Sequence, residues 1–165
     1  MIRQFLLVIF ITLVSGQVSA QDINDEDISN RVTRAIANNE ELTGSDIYVF
    51  SVNGYVLLAG QVLTPQQRQE ASVAAAFATN DIRRLINELQ VVDELDNSFD
   101  EDDRAILAQI EAVIPDMSPA TLPVIHDGIV HLLGRVTREE GNEVATAISK
   151  MRGVKNIRLS FEFLD

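Results

Sequence analysis

The chain has 165 residues, with 25 acidic against 13 basic, two histidines, and neither cysteine nor tryptophan. A formal net charge of −12 argues against non-specific nucleic-acid binding, which relies on neutralising phosphates. The lack of cysteine excludes disulfides, thiol nucleophiles, Cys-ligated zinc and a lipid anchor on an N-terminal cysteine.

In chain order, Arg3 gives a cationic start, and Phe5 to Val14 is apolar apart from Thr12. Small or polar residues then lead to Val18 and Ala20, at signal-peptidase spacing. The apolar run is short of the ~20 residues that a membrane-spanning helix needs. Residues 1–20 are therefore expected to be a cleaved signal peptide. The exported chain from Gln21 would carry 12 bases and 25 acids, with no transmembrane segment and a periplasmic location.

The remainder reads as two copies of one pattern. Asn53-Gly-Tyr-Val-Leu-Leu-Ala-Gly-Gln-Val62 aligns with Asp127-Gly-Ile-Val-His-Leu-Leu-Gly-Arg-Val136. Each copy opens with an amphipathic helix, Asp27 to Ala37 and Asp103 to Ile114, with apolar residues on one stripe. Pro115 ends the second helix. A hairpin follows, turning at Asn53-Gly54 or Asp127-Gly128, where both turn residues need positive φ. A second helix runs from Pro65 to about Thr79, or from Arg138 to Met151. A last strand, Leu85 to Val92 or Val154 to Phe163, closes the unit. Pro123 cannot donate a ladder hydrogen bond, so its strand is expected at a sheet edge. The last strand then lies parallel to the second, reached by a helical crossover. The expectation is an α+β protein of two domains, each helix-strand-strand-helix-strand. Each has a three-stranded mixed sheet in the order 1-2-3 with both helices on one face. The expected boundaries are 22–92 and 104–165, joined by an acidic linker at 93–103 with seven carboxylates.

Strand alternation sorts the side chains into two faces, and the better match between copies assigns Val56, Leu58, Val130 and Leu132 to the helix-covered core. The opposite face of the first copy carries Tyr48, Phe50, Val52, Tyr55 and Leu57, too apolar for a sheet face in water, so these are the interface candidates. The occupant of that face is either the other domain or a protein or lipid partner. The candidates for anionic headgroups are Arg135, Arg138, Lys150, Arg152, Lys155 and Arg158; a solvated turn with cations at a helix C-terminus explains the same residues. His126 and His131 flank the second hairpin on one face. A zinc site usually needs three or four protein ligands, and no third stands at a suitable spacing. No metal, cofactor or catalytic residue is expected.

The two Gly-x-Val-x-Leu-x-Gly-x-Val segments, with Gly153-Val154-x-x-Ile157 closing the second unit, resemble the BON domain. The resemblance spans Asp27 to Phe163; the first unit departs from it, with Asp81-Ile82 in place of Gly153-Val154. It implies a non-catalytic α+β module, often paired, in soluble periplasmic proteins induced by osmotic stress and in outer-membrane lipoproteins. The implied role is binding phospholipid or envelope surfaces, envelope proteins among them, to support envelope integrity. The alternative is a soluble periplasmic stress or chaperone-like protein that holds protein clients on the apolar sheet face of the first domain.

Overall fold

The computed structural model describes residues 24–95, 101–114 and 121–165. The expected signal peptide and the middle of the acidic linker lie outside them. Helix α1, Asp25–Ala37, starts on Asn24, whose side chain accepts from the Asp27 N–H, and carries three acids in its first turn. There they complement the helix dipole. The helix begins two residues earlier than periodicity suggests. A short 3-10 turn at Glu40–Leu42 leads into the hairpin of β1, Asp46–Val52, and β2, Tyr55–Val62. Asn53 and Gly54 sit at φ 53° and 76°, and Asp127 and Gly128 at 50° and 71°. These are the conformations a two-residue hairpin turn demands.

Helix α2, Pro65–Ala78, is capped by Thr64 and has proline in its first turn, where no backbone donor is needed. It leads to β3, Arg84–Asn87, and β4, Gln90–Val91, both parallel to β2. One continuous last strand is expected from the sequence; the structure breaks it in two. Asn87 is the cause. Its side-chain oxygen accepts the Leu89 N–H, and its amide donates to the Arg68 carbonyl and the Ser72 hydroxyl of α2. The strand resumes in the same register, so Leu89 still reaches the core.

The second unit repeats the order. It comprises α3, Glu101–Glu111; β5, Thr121–His126; β6, Ile129–Val136; α4, Arg138–Ile148; and β7, Asn156–Phe163. Strand order is β1-β2-β3 in the first sheet and β5-β6-β7 in the second, and the Pro123 strand is at an edge. Thr137 and Glu140 close α4 with reciprocal side-chain to backbone hydrogen bonds. Helix α3 begins at Glu101, inside the stretch expected to be linker.

Each unit has its own core on the helical side of its sheet. Ile28, Val32 and Ile36 of α1 and Ala71 and Ala75 of α2 pack on Val56, Leu58 and Val62. In the second unit Ile106, Ile110 and Ile114 join Val144 and Ile148 on Val130, Leu132 and Val136. Each fully buried aliphatic side chain contributes about 1.5–3 kcal/mol.

Candidate functional site

A third apolar cluster lies on the other face of both sheets. Leu57 and Ala59 of β2 pack with Val124 of β5 and Leu133 of β6, and Phe50, Val52, Ile86 and Leu122 close around them. Leu57 is 1% exposed and Leu133 is fully buried. The two bare faces thus cover each other, each supplying what the other lacks. Alternation places these residues together once each sheet's other face is committed to helices. Tyr48 lies on the same face of β1. Its hydroxyl donates to Asp46 at 3.1 Å, and burial, reinforced by that carboxylate, raises its pKa. Tyr55 stands opposite Val52 at the turn end of the hairpin, half-buried. A surface for protein clients on this face would require the two sheets to separate.

The rim of this contact is polar and paired. Arg158 of β7 bonds Glu88 of the first unit at 3.2 Å. Glu162 of β7 meets Arg135 at 3.1 Å and Arg83 of the first unit at 4.0 Å. It also accepts from the Asn53 side-chain amide.

These contacts divide the six candidate cations. Arg135 and Arg158 sit on the sheet face, where carboxylates neutralise them. Lys155 pairs with Asp127 at 2.6 Å beside the second turn. Lys150 and Arg152 follow α4, and Lys150 borders a shallow hollow along that helix with Asn142, Glu143, Thr146 and Ala147. The backbone carbonyl of Arg152 accepts from Gln109 of α3. Arg138, at the opposite end of α4, lies over the Phe163 ring with its guanidinium 4.7 Å from the centroid. The six candidate cations therefore stand in four places: the sheet face, the second turn, the end of α4 and its start. Alternation along β6 and β7 carries the signal: Arg135 and Arg158 fall on the side of Leu133 and Glu162, not on the helical side.

Under Arg138, Phe163 is 43% exposed, and the next residue, Leu164, is 55% exposed; Leu159, four residues earlier on β7, is 47% exposed. Phe163 also meets Phe161 edge to face at 6.4 Å. An arginine flanked by exposed Phe and Leu can place cation and apolar groups together at a lipid headgroup layer.

One pair of functional positions was missed by sequence reasoning. Asp25 accepts from the Asn53 and Gly54 backbone N–H groups and from the Ser51 hydroxyl, at 2.6–2.8 Å. Asp103 accepts from the Asp127 and Gly128 N–H groups at 2.8 and 2.7 Å. In both units an acid in the first turn of the first helix holds the hairpin turn. The available signal was that each Asn-Gly or Asp-Gly turn is preceded by a helix-opening acid.

Among the described residues, no group of three or more His, Cys, Asp or Glu side chains is placed to hold a metal ion. No helix there is long and apolar enough to cross a membrane.

The family model of the BON domain matches residues 24–93. The chain is 28% identical over 154 residues to the outer membrane lipoprotein DolP of Haemophilus influenzae; the match covers 90% of this chain and 79% of that one. Among solved structures it is similar to the C-terminal domain of CdsD, the structural protein of the type III secretion system of Chlamydia trachomatis. That likeness has a TM-score of 0.34 and 14% identity, over 86% of this chain and 67% of that one.

Proposed function

We propose, from the match of residues 24–93 to the BON domain, that the whole chain is a tandem BON protein of the bacterial envelope. Its role is to bind anionic phospholipid through the second unit and so support envelope integrity, with no reaction catalysed. Similarity to an outer membrane lipoprotein along nearly the whole chain supports the location. The observation that carries the binding surface is the division of the cations. Arg138, Lys150 and Arg152 are the candidates whose side chains form no ion pair among the described residues, and Arg138 stands over the exposed Phe163 ring, with exposed Leu164 next in the chain.

Each basic residue near an anionic surface contributes about 1 kcal/mol. Three such residues give weak binding unless Phe163 and Leu164 insert. The net charge of −12 opposes approach at long range, and screening confines it to about 10 Å at 0.1 M salt. Binding is therefore expected to be short-ranged, selective for anionic lipid and weakened by salt.

Co-sedimentation with phosphatidylglycerol and phosphatidylcholine vesicles tests this. The protein should pellet with the first and not the second, and Arg138→Gln with Lys150→Gln and Arg152→Gln should abolish pelleting. Equal recovery with both vesicles, or an unaffected triple variant, would refute the reading.

A further inference from the structure

Both histidines of the chain lie on the face of the second sheet that the first sheet covers. His126 follows Leu122 and Val124 along β5, and His131 precedes Leu133 on β6 by one residue pair. His131 is 4% exposed. The His126 Nε2 is buried and has no hydrogen-bond partner among the described residues. His131 stands opposite Val124, with His126 at the diagonal position on the same face.

The charged groups around His131 come from both sheets. Its own sheet supplies His126 from β5 and Arg158 from β7, and the first sheet supplies Glu88 from the break between β3 and β4. Farther out on these faces are Arg135 and Glu162, Arg83, and Asp46 with the Tyr48 hydroxyl. The nearest carboxylate, Glu88, is already committed to Arg158. A cation formed at His131 would be enclosed by the aliphatic cluster, beside an arginine and a second imidazole. Burying a charge without its own partner is strongly unfavourable.

We propose that the contact between the two sheets is a proton-operated latch: protonation of His131 creates a cation that the closed contact cannot accommodate, and the sheets part. Parting exposes Phe50, Val52 and Leu57 on one side and Leu122, Val124 and Leu133 on the other, an apolar surface otherwise hidden. The latch is independent of lipid binding.

The sign follows from the environment. Burial pushes the His131 pKa down, Glu88 pushes it up, and Arg158 and His126 push it down, with burial the largest influence. The closed form therefore holds fewer protons than the parted form between its lowered pKa and the ordinary value of about 6.5. Closure is fully favoured above that window and weakens as pH falls through it. The closing equilibrium falls by at most about tenfold per pH unit for each proton taken up.

The experiment uses the purified protein without lipid. Because the chain has no cysteine, Asn30→Cys on α1 and Ser149→Cys after α4 give two unique labelling positions, one on each unit. Energy transfer between them should fall as pH drops from about 7.5 to about 5, the range in which histidine titrates. Far-UV circular dichroism should stay unchanged. His131→Gln should remove the response. Transfer that is constant with pH in the parent protein, or that falls equally in the variant, would overturn the proposal. Should His131→Gln not fold, proton NMR of the parent decides. A His131 titration below the free value, coincident with loss of interface contacts, supports the latch. An ordinary titration with those contacts intact overturns it.

Discussion

The first and second units share a plan and differ at their turns. Position 53 is asparagine, and its repeat counterpart, 127, is aspartate. The base near each turn, Arg83 or Lys155, responds to that difference. Asp127 holds Lys155 within the second unit at 2.6 Å. Asn53 carries no charge to hold Arg83, and both reach across to Glu162 of the other unit. The second turn is thus paired within its own unit, and the first is tied to the other unit. The third strands differ in the same sense. In the first unit the strand breaks after Asn87, and Glu88 there meets Arg158; in the second it runs unbroken for eight residues.

The largest expected break in this comparison is at Gly60. It sits at φ 116°, and a Cβ there would stand 2.1 Å from the Asp46 carbonyl oxygen. Gly60→Ala combines a strained conformation with a backbone clash and should destabilise by about 3 kcal/mol or more, seen in denaturant melts. A loss below about 1 kcal/mol would show that the β1–β2 approach relaxes readily.

The two acid braces give the next test. Asp25 accepts three hydrogen bonds and Asp103 two, because Ser51 donates to Asp25 and its counterpart Ile125 cannot. Hydrogen bonds to a charged group contribute about 1.5–3 kcal/mol. Asp25→Ala should cost about 3 kcal/mol and Asp103→Ala about 2, with the difference removed by adding Ser51→Ala to the first. Equal losses would mean that the braces are equivalent despite their different partners.

The smallest effect is expected at the rim. Glu162→Gln removes the charge that meets Arg135 and Arg83, in a side chain 30% exposed, and keeps an oxygen that can accept from Asn53. Pairs with that much solvent contribute about 0–1 kcal/mol. Labels on the two units should report looser docking at moderate salt, with little change in unfolding midpoint. An unchanged inter-unit distance would assign the docking to the apolar cluster alone.

Local chemistry was readable along the chain. Asn53-Gly54 and Asp127-Gly128 determine both hairpins, and these determine which side chains share a face. Pro123 points to an edge strand, and Thr64-Pro65 to a helix start. Long-range effects were hidden. The break after Asn87 depends on its side chain meeting α2, nineteen residues back at Arg68. Asp103 reads as one more solvated acid until a turn 24 residues later presents two N–H groups to it. The six cations look like one cluster because sequence proximity hides which face each occupies.

The central claim is that lipid contact belongs to the second unit. Amide hydrogen exchange on the protein with phosphatidylglycerol vesicles tests it most directly. The account predicts added protection around Arg138, at 150–153 and at 159–164, with none at 24–95. Protection concentrated at 24–95, or no change anywhere on vesicle addition, would contradict it.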